Sequence, residues 1–452
     1  MQDHSLPRST PAEQGVDATG IDAFIAAVAP LEGVELHSLM VVRHGSVVAE
    51  RWWYPYAANA PHLLYSRIKS FTSTALGFAV TEGRIDLDAT VLSYFPEFDA
   101  QITDQRSRGT KVRHVASMAS GHADETVQEA YRRGDGDLVL GLLLIPPDHD
   151  PGTFFAYNQP CTNALARIIC KVTGGTLNQY LLPRLYEPLG IGVHGWTTDG
   201  EGREIGFSGL HSTTEAIAKL GQVYLDEGKW EGKELLPRSW MTEATRSHVV
   251  PDREDPDWSQ GYGFQFWRSR HGYRGDGAYG QYMVILPEAD AVVAITSQSP
   301  AMQLVLDALW EHLLPALTGD GGPSGAWPRE NPSLASPKGA VAVSIADGSY
   351  HPGPGNALPS LRSMELVGGD LILRDDGPDV RVQLGEAWTA TGPFATAATS
   401  DGGRLHVDVI FAETPHRLHL VADPATSQFD ARWETEPLQA GPLAELRMPR
   451  TA

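Results

Sequence analysis

One stretch decides the fold of this chain: Ser66-Arg67-Ile68-Lys69-Ser70-Phe71-Thr72-Ser73-Thr74-Ala75-Leu76-Gly77-Phe78-Ala79-Val80. Its apolar residues recur at intervals of three and four, which predicts a helix that Gly83 ends. Residues three apart on a helix lie on the same face, so we expect the Ser66 hydroxyl and the Lys69 amine to meet.

This pairing is suited to nucleophilic catalysis. A serine hydroxyl reacts at neutral pH only when a neighbouring base takes its proton. A lysine can be that base only when burial or another cation lowers its pKa. The helix N-terminus would also favour an oxyanion nearby. A lone Ser-x-x-Lys pattern also occurs on ordinary amphipathic helices, so the rest of the chain must decide between the two interpretations.

Length and composition limit the classes of protein. The chain has 452 residues, enough for two or three domains, with 42% hydrophobic and 20% charged residues. A net charge of −21 argues against nucleic acid or an anionic membrane surface as a partner. No apolar run reaches membrane-spanning length, and residues 1–7 do not resemble a signal peptide, so we expect a cytoplasmic protein.

The sequence predicts neither a disulfide nor a metal site. Cys161 and Cys170 fall near the two ends of one predicted helix, too far apart to bridge, and we expect both to be buried structural thiols. No His, Asp and Glu cluster has ligand spacing such as His-Glu-x-x-His, so no metal or other cofactor is expected.

A second informative stretch is the loop over residues 151–159, where Pro151 and Gly152 precede two phenylalanines and Tyr157. Residues 162–172 then follow a helical pattern, which places Tyr157 just before a helix. From the residues alone, Tyr157 is either a core side chain or part of a site.

The third informative stretch runs from residue 261 to residue 296. Residues 261–267 alternate as a strand does, residues 271–280 are rich in glycine, and residues 281–287 and 291–295 are predicted to form a strand pair. Gly277 and Gly280 let a backbone approach closely, as an oxyanion-binding strand requires and as any tight hairpin also requires.

The remaining patterns divide the chain. A hairpin is predicted over residues 38–50, an amphipathic helix over 212–224 and a last helix over 301–317. We therefore predict a domain over residues 1–320, a linker rich in Gly, Pro and Ser over 321–338, and an all-β barrel or sandwich over 339–452, where apolar runs such as 371–373, 380–382, 405–411 and 417–421 alternate with turns.

Three stretches in this order resemble the serine β-lactamase and penicillin-binding-protein superfamily, nearest to its class C and family VIII esterase branch. They are Ser66-x-x-Lys69 with the helix behind it, Tyr157 at the place of a Tyr-x-Asn element, and the glycine-rich segment that leads into residues 280–288. Residues 183–191 are a smaller likeness. The resemblance covers roughly residues 10 to 320.

The resemblance implies an α+β fold, with an antiparallel sheet flanked by helices beside an all-helical subdomain and the site between them. It implies that Ser66 attacks an acyl carbonyl while Lys69 and Tyr157 share the proton transfers. Backbone N–H groups of Ser66 and of the strand near Gly277, Ala278 and Tyr279 would bind the oxyanion, an effect of about 3 kcal/mol per donor.

Two departures from the family pattern affect substrate recognition. Arg274-Gly275-Asp276-Gly277 stands where Lys-Thr-Gly is usual, so either Arg274 supplies the missing cation to the substrate or Asp276 pairs with it. Gln159 replaces the usual Asn, so Gln159 or Asn158 is expected to contact the substrate. Efficient β-lactamase activity is therefore not expected.

Three functions remain open. The leading one is a serine hydrolase that acts on a small ester or amide, of the esterase, amidase or D-amino-acid peptidase type. An acyltransferase would use the same acyl-enzyme, and a non-catalytic binding protein would keep only the fold. The C-terminal β module occurs on some peptidase-like members, where it covers the site or mediates assembly, so a homo-oligomer is left open.

Overall fold

The computed structural model describes residues 5–192, 194–319, 330–336 and 347–450. The predicted linker over 321–338 and the predicted domain boundaries at 320 and 339 lie wholly or largely outside these residues and stay predictions. Residues 330–336 lie against the N-terminal part of the chain, where the Tyr54 N–H donates to Pro332 O and the Leu334 N–H to Tyr54 O.

Twenty strands and thirteen α-helices are described. The strands are β1 (Leu36–Arg43), β2 (Ser46–Trp52), β3 (His62–Leu63), β4 (His194–Trp196), β5 (Leu210–Ser212), β6 (Lys229–Trp230), β7 (Lys233–Glu234), β8 (Trp267–Arg268), β9 (Tyr273–Gly277), β10 (Gln281–Leu286), β11 (Ala291–Ser297), β12 (Gly348–Pro352), β13 (Ser363–Val367), β14 (Asp370–Arg374), β15 (Val380–Gln383), β16 (Thr389–Thr391), β17 (Phe394–Asp401), β18 (Arg404–Phe411), β19 (Arg417–Asp423) and β20 (Gln428–Trp433).

The helices are α1 (Ala18–Val28), α2 (Lys69–Thr81), α3 (Gln105–Gly109), α4 (Val112–Ala116), α5 (Val127–Arg133), α6 (Leu138–Leu144), α7 (Gln159–Thr173), α8 (Leu177–Leu181), α9 (Glu187–Leu189), α10 (Thr214–Leu225), α11 (Arg238–Thr245), α12 (Met302–Ala308) and α13 (Leu314–Thr318). A 3₁₀ turn over Tyr65–Ile68 leads directly into α2. A π-helical turn over Leu309–Leu313 joins α12 to α13, so the last predicted helix is confirmed.

The N-terminal domain, here the described residues up to 319, is built on a six-stranded antiparallel sheet in the order β2-β1-β11-β10-β9-β8. Strands β10 and β11 are buried at every residue, as expected for central strands covered on both faces. The predicted hairpin and the predicted strand pair are both confirmed, since β1 pairs with β2 and β10 with β11. Helices α3 to α9 form the helical subdomain.

Helix α2 lies at the centre of this domain. All residues from Lys69 to Ala79 are buried, so the helix is enclosed on every side and does not have one solvent face. Small residues permit this close packing: a Cβ atom on Gly77 would lie 2.4 Å from the indole nitrogen of Trp240. No helix in the described residues is both long enough and apolar enough to cross a membrane.

One predicted strand is wrong. Residues 261–266 form irregular backbone, in which Gly261 and Gln265 have positive φ values of 116° and 64°. The apolar residues of this segment alternate because they pack into the core from an irregular backbone, and the alternation does not reflect a strand. The Gln265 side chain donates to Ala116 O at 2.8 Å and accepts from Thr162 Oγ1 at 2.7 Å, which ties the segment to α4 and α7.

The C-terminal module is a nearly closed barrel, which decides between the predicted barrel and sandwich. Its nine strands run in the order β15-β14-β13-β12-β20-β19-β18-β17-β16, all antiparallel except for the parallel pair β12 and β20. The two ends of the sheet meet where the Gln383 N–H of β15 donates to Thr391 Oγ1 of β16 at 3.2 Å. The four predicted runs correspond to β14, β15, β18 and β19, and the sequence analysis missed the other five strands.

A buried ion pair joins the barrel to the N-terminal domain. The Arg417 guanidinium donates to both carboxylate oxygens of Glu35, at 2.6 and 2.7 Å, and its side chain is only 8% exposed. Glu434 contributes a second carboxylate at 3.1 Å from Arg417. The pKa of Glu35 is lowered by its hydrogen bond with His37 and by the charge of Arg417, against the opposing effect of burial.

Replacing Arg417 by methionine should destabilise the protein by about 3 kcal/mol, because Glu35 would lose its charged partner and keep only the hydrogen bond with His37. Thermal denaturation would measure the loss, and limited proteolysis would show whether the barrel is released first. Arg381→Met is the matched control, since Arg381 lies in the same barrel with an exposed ion pair to Asp370. Equal effects of the two substitutions would contradict this role of Arg417.

Candidate active site

Ser66 and Lys69 are in direct contact. Ser66 lies in the 3₁₀ turn and Lys69 is the first residue of α2. The Lys69 amine donates to Ser66 Oγ at 2.8 Å and to the backbone oxygen of Phe207 at 3.0 Å. The three-residue spacing therefore brings the hydroxyl and the amine together as expected, although through a 3₁₀ turn rather than a regular α-helix.

The surroundings of Lys69 favour its neutral form. Burial lowers the pKa of the Lys69 amine to about 7, and the carboxylates of Glu125 and Asp276 oppose the shift without cancelling it. The Lys69 side chain is shielded from solvent, since the residue is only 2% exposed. Near neutral pH a large fraction of the amine thus carries a lone pair that can accept the Ser66 proton.

Tyr157 lies beside both residues. The Lys69 amine is 4.8 Å from the centre of the Tyr157 ring, and Tyr157 lines the same pocket as Ser66. Burial raises the pKa of Tyr157, with the charge of Asp276 adding to the effect, so the phenol is protonated at neutral pH. Trp267 stacks on Tyr157 with the ring centres 5.5 Å apart and holds the phenol in place.

The end of β9 passes close to the nucleophile. A Cβ atom on Gly277 would lie 2.3 Å from Leu64 O and 3.2 Å from the backbone nitrogen of Ser66, so only glycine fits there. Ala278 follows in a turn that the Gly280 N–H closes onto Gly277 O. The pocket beside Ser66 is lined by both Gly277 and Ala278.

Arg274 does not reach this pocket. It is fully buried, its Nε donates to Asp276 Oδ2 at 3.0 Å, and its Nη1 donates to the backbone oxygen of Asp257 at 2.8 Å. The expectation that Arg274 binds the substrate is therefore wrong, and the alternative of an ion pair with Asp276 is the arrangement found. The physical reason is that Arg274 compensates the charge of a carboxylate that itself lies at the pocket wall.

Asn158 and Gln159 have different surroundings. The Asn158 side chain is buried away from the pocket, and its Oδ1 accepts from the N–H and the hydroxyl of Thr126 at 3.0 Å each. Asn158 thus holds the loop together and does not line the pocket, contrary to one expected alternative. Gln159 does line the pocket, and its backbone N–H donates to Glu125 at 3.1 Å.

The Tyr279 side chain points away from the pocket. Its hydroxyl donates at 2.6 Å to the backbone oxygen of Glu436, in the segment that follows the last barrel strand. Its ring meets that of Tyr65, the residue before Ser66, with the ring centres 5.5 Å apart. Tyr279 therefore ties the turn near the nucleophile to the C-terminal module instead of contacting a ligand directly.

The sequence analysis missed several pocket residues. A cavity of about 550 Å³ opens beside Ser66, and the missed side chains in its wall are Arg253, Asp255, Trp258, Trp267, Asp276, Pro300, Ala301, Met302, Gln303, Leu304 and Leu438. Asp276 was weighed only as a partner of Arg274. Leu438 lies more than a hundred residues from any motif, and the only available signal was its isolation as an apolar residue in a polar segment. Among the described residues no cluster of His, Cys, Asp and Glu could hold a metal ion.

Comparisons with known proteins agree with this geometry. The family model described as Beta-lactamase matches residues 28–314, which is more than half of the chain, and the chain belongs to that family. It is 26% identical over 329 residues to a 6-aminohexanoate-dimer hydrolase of Paenarthrobacter ureafaciens, an alignment that covers 66% of this chain and 82% of that protein.

Solved structures share the fold. EstCE1, a hydrolase with promiscuous acyltransferase activity, superposes with a TM-score of 0.54 at 16% identity and covers 65% of this chain and 99% of its own. SurE, solved with D-Leu, gives a TM-score of 0.53 at 20% identity and covers 88% of this chain and 95% of its own. The larger share for SurE extends past the part of the chain that the family model matches.

The rate of reaction at Ser66 should rise with pH through about 7, since Lys69 must lose its proton before it can accept the one from Ser66. Glu125→Gln should move this rise to lower pH by about half a pH unit, because the carboxylate now stabilises the ammonium form. The measurement is the rate constant for modification by a fluorophosphonate between pH 5 and pH 9.

The matched control for this pH profile is Glu129→Gln, since Glu129 lies on α5 and pairs with the partly exposed Arg133. We expect it to leave the profile of the wild type in place. A rise that moves to higher pH in Glu125→Gln would have the wrong sign for a carboxylate acting on Lys69.

Proposed function

We propose that this chain is a serine hydrolase that forms an acyl-enzyme on Ser66 and hydrolyses a small ester or amide. The observation that carries the proposal is the 2.8 Å contact between Ser66 Oγ and a buried lysine whose pKa is lowered to about 7. Membership of the Beta-lactamase family and a relative named as a 6-aminohexanoate-dimer hydrolase support hydrolysis as the type of reaction.

In the proposed acylation, neutral Lys69 takes the hydroxyl proton of Ser66 while Oγ attacks the carbonyl carbon. The backbone N–H groups of Ser66 and Ala278 bind the oxyanion, which Gly277 makes room for. The tetrahedral intermediate then expels the alcohol or amine, which takes a proton from the Tyr157 hydroxyl, and Lys69 returns its proton to Tyr157. The acyl group is left as an ester on Ser66.

In the proposed deacylation, water takes the place of the departed group. Neutral Lys69 accepts the hydroxyl proton of Tyr157 while Tyr157 takes a proton from the water, the hydroxide attacks the acyl-enzyme carbonyl, and the Lys69 ammonium returns a proton to Ser66 Oγ as the carboxylic acid leaves. An acyltransferase would follow the same course with an alcohol or amine in place of water. Adding such a nucleophile and comparing the yields of acid and transfer product would separate the two functions.

β-Lactams are not proposed as good substrates. The residues beside the oxyanion turn are Gly275, Asp276 and Gly277, and the only cation of that strand, Arg274, is fully buried in its ion pair. A carboxylate on the substrate would therefore meet the Asp276 side of the wall without a compensating cation from β9.

A fluorophosphonate should add once to the wild-type protein and should not add to Ser66→Ala, because Ser66 alone has a base at hydrogen-bond distance in the described site. Intact mass spectrometry measures the adduct. Ser93→Ala, which removes an exposed serine of the same domain, should label as the wild type does. A folded wild-type protein that takes up no adduct would favour the non-catalytic binding protein.

Tyr157→Phe should lower kcat/KM about a hundredfold for a p-nitroanilide or alkyl amide and much less for the matching p-nitrophenyl ester. An amine must be protonated as it leaves, whereas p-nitrophenolate leaves without a proton. Tyr131→Phe removes the hydroxyl of a 62% exposed tyrosine and should not change either rate. Equal losses on ester and amide would argue against Tyr157 as the proton donor to the leaving group.

A further inference from the structure

Exposed apolar side chains converge on the Ser66 pocket from two directions. The described residues include seven large hydrophobic side chains that are exposed, namely Tyr54, Tyr131, Leu182, Val250, Leu304, Val367 and Leu438. Two of these, Leu304 at 40% and Leu438 at 62% exposure, line the same pocket as Ser66. Exposed apolar groups gathered in one cavity usually mark a surface that an apolar ligand covers.

Leu304 belongs to a mostly apolar wall, which Gln303 interrupts. Pro300, Ala301 and Met302 line the pocket with it, at the start of α12. The Tyr282 hydroxyl donates to Met302 O at 2.8 Å, and the Leu304 N–H donates to Ala301 O at 3.1 Å. The first bond ties the wall to β10 of the central sheet, and the second closes the turn at the start of the wall.

Leu438 is held over the pocket from the C-terminal module. The Leu438 N–H donates to the Tyr65 hydroxyl at 3.4 Å, and the Tyr279 hydroxyl donates to Glu436 O at 2.6 Å. His416 Nδ1 also donates to Thr435 O at 3.0 Å. Tyr65 and Tyr279 flank the nucleophile and the oxyanion turn, so the leucine is positioned by the same backbone that holds the reacting groups.

The other side of the pocket is polar and aromatic. Tyr157 stacks on Trp267, and the Arg253 guanidinium lies 5.7 Å from the centre of the Trp267 ring. Asp255 adds a carboxylate to this side. The proposed proton donor to the leaving group thus lies on the polar side, while the apolar wall adjoins the oxyanion turn through Tyr279.

We propose that Leu304 and Leu438 form a subsite for the acyl chain, so that the substrate is an ester or amide of an apolar carboxylic acid of medium length. This inference rests on the proposed function, since it assigns the two sides of the pocket from the role of Tyr157. The apolar chain lies against the wall while Ser66 carries the acyl group, and it leaves with the carboxylic acid when water cleaves the Ser66 ester.

The test uses the full chain and p-nitrophenyl esters of acetic, butyric, hexanoic, octanoic and decanoic acid. Burial of each added methylene should raise kcat/KM about three- to fourfold until the chain extends beyond the wall, after which kcat/KM should level off. The leaving group is the same in every ester, so a trend can arise only from the acyl chain.

Leu304→Ser and Leu438→Ser should each lower the ratio of kcat/KM for octanoate to that for acetate about tenfold. Leu182→Ser is the matched control, because Leu182 is a 43% exposed leucine that lies outside the pocket, and it should keep the wild-type ratio. Circular dichroism melting of each variant checks folding. If Leu438→Ser destabilises the protein, the ratio measured for Leu304→Ser tests the subsite.

The outcomes separate the two claims. Acetate hydrolysis without any rise along the ester series would overturn the acyl subsite, as would variants that keep the wild-type ratio or lose acetate and octanoate activity equally. A folded protein that hydrolyses none of the esters, with no adduct at Ser66, would instead overturn the proposed function.

Discussion

The site depends on the removal of one amine from water. Lys69 is the first residue of α2, a helix that is buried on all sides. The removal of its Nζ atom from water is the main cause of the lowered pKa of Lys69. A lysine on a solvent-facing helix would keep its proton near neutral pH and could not act as a base. The close packing around α2 is therefore also what lets its first residue, Lys69, act as a base.

Burial keeps Lys69 available as a base only if nearby charges do not raise its pKa again. Asp276 and Glu125 both raise the pKa of Lys69, and Asp276 is itself buried. Arg274 favours the charged form of Asp276, because its guanidinium lowers the pKa of that carboxyl from behind the pocket against the raising effect of burial. The cation on β9 thus acts on the electrostatics of the site, whereas the family's Lys-Thr-Gly element would direct a cation toward the substrate.

Much of the site could be predicted from the sequence because it depends on local spacing. Ser66 and Lys69 are three residues apart, so short-range periodicity predicted their contact, whereas the role of Tyr157 was predicted only from the family resemblance. The fate of Arg274 could not be predicted, since whether it faces the pocket or Asp257 depends on how a distant loop packs. The same holds for residues 261–266, where apolar alternation came from core filling along an irregular backbone.

The barrel strands show a similar limit. Strands rich in Val, Ile and Leu, such as β18 and β19, were recognised, whereas β17 contains small Ala and Thr residues that carry little strand signal. β17 is part of the barrel because it pairs with β18 along its whole length, and no local sequence pattern indicates this pairing.

The pocket also depends on how the two parts of the protein are joined. Arg417 binds Glu35 at one contact. At a second contact, the Tyr65 hydroxyl is 2.7 Å from His416 Nε2. Tyr65 directly precedes Ser66 in the sequence, and His416 directly precedes Arg417. The barrel is thus fixed to the N-terminal domain by Arg417, the first residue of β19, and by His416 just before it, and His416 also contacts the turn that carries the nucleophile. Any movement of the barrel would displace Leu438 and Tyr65 together, so the shape of the pocket and the docking of the barrel cannot vary independently.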